Sequence, residues 1–224
     1  MTVPADVDER GRAGRRERKK QRTREALIDA AFELFAEKGF EATTVEEIAD
    51  AVDVSSRTFF RYFSSKEDVA LTFQEEQFVA MREALAAQPP GDPVVTALRK
   101  AAVGIARACE QGELGFDPAR WMCLQNLMST SPALLAGSLE HAQKKQAVLT
   151  QIVAERMGTD PATDLRPHVV AASASCAFRA AAEAWSAGAT GTTTLSEAVS
   201  AAFALLEDGI NYPSVAPEPT ILTG

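Results

Sequence analysis

The chain has 224 residues, 46% of them hydrophobic, and a formal net charge of −8, which is enough apolar material for one or two packed domains. No apolar run reaches membrane-spanning length and the first thirteen residues hold no signal-peptide core, so no membrane partner is expected and the cytoplasm is the expected location. The acidic total hides a polarised distribution: residues 10–24 carry nine basic side chains against one acid, Glu17, whereas residues 69–224 carry ten basic and sixteen acidic ones.

In chain order, residues 1–14 read as a solvated, disordered tail. The basic run that follows, with Arg15 and Arg22, leads into a helix and is placed to touch phosphates or enter a minor groove. Leu27, Ala30, Ala31, Leu34 and Phe35 recur at the spacing of one apolar helix face, and Gly39 ends that helix after Lys38. Thr44 and Glu47 have capping-box spacing, so a second, short helix opens at Val45 with Ile48, Ala49 and Val52 inward. Ser55 is the next N-cap, only three residues after Val52. Two short helices joined through Asp53 form a helix-turn-helix.

On the third helix Phe59 and Phe63 make the buried i, i+4 pair, so Arg57, Thr58 and Arg61 point away, flanked by Phe60 and Tyr62. Arginines, hydroxyls and an aromatic on one protruding face suit the major groove, where guanidinium donors read guanine and hydroxyls hold phosphate. Ser65 and Asp68 suggest another capping box. Lys66 then falls in the first turn of the fourth helix, a position that suits a cation when a phosphate is bound there.

These residues resemble the DNA-binding domain of the TetR family of transcriptional regulators. The matching positions are Thr23, Arg24, Ala30, Ala31, Leu34, Phe35, Gly39 and Phe40, then Thr43, Thr44, Val45, Ile48 and Ala49, then Val54, Ser55, Thr58, Phe63, Ser65, Lys66 and Glu67. The stretch from Arg57 onward is also similar to a subgroup that includes regulators of mycofactocin-type gene clusters. Two positions depart from the family pattern: the turn glycine is Asp53, and the phosphate-binding tyrosine is Phe60. The resemblance implies DNA contacts from Arg15, Arg22, Thr44, Ser55, Ser56, Arg57, Thr58, Phe60, Arg61, Tyr62 and Lys66, with Tyr62 or Thr58 supplying the hydroxyl that Phe60 lacks.

Past this reader domain, residues 15–68, the pattern is helical throughout. The fourth helix runs to about residue 86 with Phe73, Gln77 and Met81 down one side. Asp92 with Pro93, Asp117 with Pro118, and Ser131 with Pro132 each read as a cap followed by a first-turn proline, opening the fifth, sixth and seventh helices. An alanine-rich eighth helix covers about residues 165–187. Thr194 and Glu197 cap a ninth with Leu195, Ala198, Val199, Ala202, Phe203 and Leu206 in one stripe. With no alternating strand pattern, the expected fold is all-α with about nine helices. Residues 69–210 form its second domain and residues 211–224 a disordered tail.

By the same resemblance the second domain binds a small molecule and dimerises through its last two long helices. Phe73, Met81, Phe116, Trp121, Gln125, Met128, Phe178 and Arg179 are the candidate ligand contacts, and His141 and His168 are further polar groups of interest. Ala177, Ala181, Ala184, Val199, Phe203 and Leu206 are the candidate dimer contacts. The implied partners are therefore a double-stranded DNA operator, an effector of unknown identity and a second copy of the chain. Cys109, Cys123 and Cys176 lack metal-ligand spacing and read as small buried apolar residues, so no metal or other cofactor is expected. No catalytic motif is present, which argues against an enzyme. The competing reading is a DNA-binding dimer whose second domain senses no small molecule.

Overall fold

A computed structural model describes residues 6–189 and 191–210, with side chains from residue 16 onward. The described residues form nine α-helices and no strand: α1 (Asp6–Lys38), α2 (Val45–Ala51), α3 (Ser56–Phe59), α4 (Lys66–Ala86), α5 (Val94–Gln111), α6 (Pro118–Thr130), α7 (Pro132–Met157), α8 (Arg166–Ser186) and α9 (Leu195–Asp208). Helix α1 begins at Asp6, so residues 6–14 are helical rather than the disordered tail expected. The helix anchored by Leu27, Ala31 and Phe35 propagates backwards through residues that are mostly good helix formers, adding a hydrogen bond per residue. The tail at 211–224 lies outside the described residues.

The reader is a small aromatic core wrapped by α1, α2, α3 and the start of α4. Leu27, Phe35, Phe40, Ile48, Phe59, Phe63 and Val69 are all buried. The Phe35 and Phe40 rings lie 5.1 Å apart and the Phe59 and Phe63 rings 5.7 Å apart, so each short helix contributes at least one large side chain to a shared centre. Gly39 reaches φ 84° to end α1. Asp53 stands at φ 55° in the α2–α3 turn, bearing the strain that glycine would avoid.

The second domain is built around α5, which packs against α4, α6, α8 and α9, while α7 lies on α8. Five N-caps behave as their spacing predicts: the side chains of Thr44, Ser55, Asp117, Ser131 and Thr194 each accept from the backbone N–H two or three residues on. The α5 cap differs. Pro93 occupies the cap position without a side-chain bond, and Asp92 instead accepts from Lys100 Nζ at 2.8 Å.

Helix α9 turns its stripe inward, which changes the expected dimer contacts. Val199 and Phe203 are 0% and 1% exposed and Ala181 is 4% exposed, because α9 fills the groove between α5 and α8. These three are core residues, Ala177 and Leu206 are half-buried against the same core, and Ala184 is half-buried. The outward faces hold other residues: Val169, Ala172, Cys176 and Ala180 on α8, at i, i+3, i+7 and i+11, and Ala201 and Leu205 on α9. Cys176 is thus exposed rather than buried, while burial pushes the Cys109 thiol up to about 11 beside Gln77.

Candidate nucleic-acid interface

The two helices of the helix-turn-helix are held by hydrogen bonds that leave one face free. Thr44 and Glu47 close a reciprocal capping box: Thr44 N–H donates to Glu47 Oε2 at 2.9 Å and Glu47 N–H donates to Thr44 Oγ1 at 3.3 Å. Glu47 also receives Lys38 from the end of α1, so one carboxylate caps α2 and ties it to α1. These bonds, Lys38 first, hold the exposed Glu47 carboxyl down at about 2. At α3, Thr58 N–H donates to Ser55 Oγ at 3.2 Å and the two side-chain hydroxyls sit 3.1 Å apart.

Helix α3 is short, and the reading face continues past it into the turn at residues 60–62. Arg57, Phe60 and Arg61 are exposed, and Ser56, Thr58 and Tyr62 are half-exposed. Phe60 is 55% exposed, with its ring set edge-on against buried Phe59 at 5.5 Å. The Arg61 guanidinium lies 5.2 Å over the Tyr62 ring and donates to Tyr62 Oη at 3.4 Å, a contact that restrains the side chain before any base is met. Thr44 and Ser55 are exposed at the N-termini of α2 and α3. Arg22 is exposed on α1 with Arg16, Lys19 and Lys20, so the basic run is a solvent-facing helix leading into the reader. The side chain of Arg15 lies outside the described residues.

Lys66, expected at a phosphate, is engaged within the fold. Its ammonium donates to the carbonyl oxygens of Phe40 at 2.7 Å and Thr43 at 3.0 Å, lies 3.4 Å from that of Glu41, and sits 4.5 Å from the Phe40 ring centroid. An ammonium has three donors, and these carbonyls take them. Lys66 therefore clamps the α1–α2 turn to the start of α4, a long-range link that helix position alone does not reveal. The Ser65 box is also only half formed, since Asp68 accepts from Ser64 N–H at 2.9 Å and not from Ser65.

The expected ligand contacts are mostly packing residues. Phe73 and Phe116 are buried with their rings 5.5 Å apart, and Trp121 stacks on Trp185 at 5.6 Å. Met81, Gln125, Met128 and Phe178 are half-buried; Arg179 is exposed and pairs with Glu183 at 3.1 Å. His168 contacts the Pro161 carbonyl at 2.8 Å. Polar groups that the sequence reading did not single out as a set lie within this core: Gln74 Nε2 donates to Ser138 Oγ at 3.0 Å, and Gln77 Nε2 to Cys109 Sγ at 3.1 Å. Their signal was glutamine at i, i+3 on the apolar side of α4. Two further links join the reader to the second domain: Arg120 of α6 pairs with Asp29 of α1, and Ser131 Oγ donates to Glu41 Oε1 at 2.7 Å.

Lys66→Met should leave those turn carbonyls without a charged donor and lower stability in urea unfolding by about 1 to 3 kcal/mol, whereas a purely phosphate-binding lysine would leave stability unchanged. Because the Glu47 carboxyl titrates lower in the folded chain than its ordinary 4.5, its contribution is complete above that value and is lost as pH falls through about 2. Hydrogen exchange at the α2 N-terminus should rise over that window in the native chain, and Glu47→Gln should show faster exchange already at neutral pH. Unchanged protection at pH 2 would contradict the capping account.

Comparison with known proteins agrees with the geometry. Residues 27–72 match the family described as bacterial regulatory proteins, tetR family, and residues 92–211 match the MftR C-terminal domain. The HTH-type transcriptional regulator TcmR of Streptomyces glaucescens is 40% identical over 77% of this chain and 76% of its own length. Among solved structures, the TetR-family repressor FadR of Thermus thermophilus, solved with lauroyl-CoA, superposes with a TM-score of 0.51 at 24% identity, covering 88% of this chain and 98% of that one. The fatty acid degradation regulator FadR of Bacillus halodurans gives 0.54 at 19% identity, covering 85% and 97%. With its reader matched from within α1 to the first turns of α4 and its second domain matched over most of the remainder, the chain belongs to the TetR family of transcriptional regulators.

Proposed function

We propose that this chain is a ligand-responsive repressor: a homodimer that holds a palindromic operator through the α3 region of each copy and releases it when a small, apolar molecule enters the second domain. The observation that carries the reading is the free face formed by Arg57, Phe60 and Arg61 on a reader whose other phenylalanines are buried. Arg57 and Arg61 would read base edges, and Thr44, Ser55 and Thr58 would hold phosphates. Phe60 presents apolar surface suited to a thymine methyl, and the Tyr62 hydroxyl is available where Phe60 has none.

The dimer would form on the outward faces of α8 and α9, where Val169 is 53% and Leu205 48% exposed between small residues that permit close helix approach. A two-fold pair of readers then meets successive grooves about one DNA turn apart. The effector would enter by parting the core between α4, α5 and α7, where Gln74, Gln77 and Ser138 supply a few polar groups within apolar walls. Release follows if the ligand favours a spacing of the readers that no longer fits the operator, and linkage then requires DNA to weaken ligand binding by the same factor.

The tight stacking of Trp121 on Trp185 and of Phe73 near Phe116 supports a second reading, in which the domain is a solid dimerisation unit that senses nothing. One experiment separates these from each other and from failure. Fluorescence anisotropy against DNA from immediately upstream of the coding region, beside a scrambled duplex at two salt concentrations, should show tighter, salt-persistent binding to the native fragment. Arg61→Ala should cost about 1 to 3 kcal/mol of that preference. Equal, salt-labile binding to both duplexes would overturn the operator assignment. A library of apolar molecules that never alters operator affinity would favour the second reading.

A further inference from the structure

We propose that an open cleft between α1, α4 and α7 is a binding site for an anionic amphiphile, a phosphate or carboxylate head on a short apolar body. The cleft shares no residue with the ring pairs Phe73–Phe116 and Trp121–Trp185 or with the reading face of α3. Its volume is about 450 Å³, within the range of roughly 300 to 1,000 Å³ typical of small-molecule sites.

The chemistry of the lining selects the ligand class. Arg24 from α1, Arg82 from α4, and Lys144 and Lys145 from α7 converge on the cleft, against two carboxylates, Asp68 and Glu75. Both carboxylates are already engaged. Asp68 Oδ2 accepts from the Ser64 N–H at 2.9 Å and from its hydroxyl at 3.2 Å, and Glu75 Oε2 pairs with Lys145 Nζ at 3.2 Å. Among the described residues Lys144 is held only by Glu140 at 3.1 Å, both side chains being about 70% exposed, so that pair exchanges readily for a better anion.

The two arginines are different. Among the described residues neither Arg24 nor Arg82 forms an ion pair with a carboxylate. Arg24 instead rests its guanidinium 5.3 Å over the Phe63 ring, which restrains it without spending its donors. A guanidinium presents paired N–H groups that fit an oxyanion two at a time. Beneath these cations lie apolar groups, Leu71 and Phe78 from α4 and Val148 from α7, the last 40% exposed. Cations around an apolar floor describe a ligand with a charged end and a greasy end, and an inorganic ion would leave that floor wet.

The location makes such a ligand consequential. Arg24 stands on α1 and touches the reader core through Phe63, whereas Lys144 and Val148 belong to the second domain. An anion bridging Arg24 to Lys144 would therefore tie the reader to α7 directly, without passing through the aromatic core.

The test is calorimetric titration of the full chain with octyl phosphate and with octanoate, beside octanol and inorganic phosphate, all below micelle-forming concentrations. One octyl phosphate or octanoate should bind per chain, at least tenfold tighter than octanol or inorganic phosphate and more weakly as salt rises. The variant carrying Arg82→Ala and Lys144→Ala, two exposed changes that leave the core intact, should weaken binding at least tenfold, while Arg179→Ala on α8 should leave it unchanged. Binding of octyl phosphate alone would narrow the head group to phosphate, and of octanoate alone to carboxylate. Equal binding of octanol, or an unaltered affinity in the double variant, would overturn the assignment. If the double variant lost DNA affinity and still bound octyl phosphate normally, these cations would belong to the DNA contact instead, and the proposal would fail. Operator binding by the ligand-free chain is measured separately, so a negative titration leaves the repressor reading standing.

Discussion

The Lys66 ammonium and the carbonyl oxygens it gathers fix the start of α4 against the α1–α2 turn. The carbonyls of Phe40, Glu41 and Thr43 in the α1–α2 turn all face the Lys66 ammonium, and Phe40 O also accepts from the Thr43 N–H at 3.3 Å. A cation at the first turn of a helix opposes the helix dipole, and here hydrogen bonds to Phe40 and Thr43 and the Phe40 ring offset that cost. The result is a rigid joint: α4 enters the second domain already registered against α1 and α2. Because α3 is only four residues long, it has little stability of its own and takes its orientation from this frame and from buried Phe59 and Phe63.

Two lesser contacts cross the same boundary at a different level. Asp29 meets Arg120 at the start of α6, and Glu41 meets the Ser131 hydroxyl that caps α7. Glu41 sits in the turn that Lys66 clamps, so the α6–α7 joint and the α4 start both grip one short loop. A displacement of α6 and α7 by a ligand would pull on that loop while Lys66 held its other side.

How much of this was legible in the sequence depended on whether the physics was local. Caps at Thr44, Ser55, Asp117, Ser131 and Thr194 were readable because an N-cap is settled by residues three positions apart. The turn at Asp53 was readable from the three-residue gap between helices. Phe59 and Phe63 followed from period and size. The choice of partner for an apolar face was not readable: the α9 stripe could face α5 or a second chain, and periodicity is the same in both cases. That is why Val199 and Phe203 proved to be core, while the smaller residues Ala172, Cys176 and Ala180 were left outside. The partners of Lys66 were unreadable for the same reason, since they lie more than twenty residues away in sequence. Arg82, Lys144 and Lys145 carry no local signal, and only the packing of α1, α4 and α7 brings them together.

The central claim is that two copies of this chain present two α3 regions to one face of DNA. Hydroxyl-radical footprinting of the upstream fragment tests it most directly, because it reports each protected sugar along both strands. The account predicts two protected patches related by a two-fold axis, on the same face of the duplex and with half-site centres about one helical turn, or roughly 34 to 36 Å, apart. A single protected half-site at saturating protein, or uniform protection without two-fold symmetry, would contradict it.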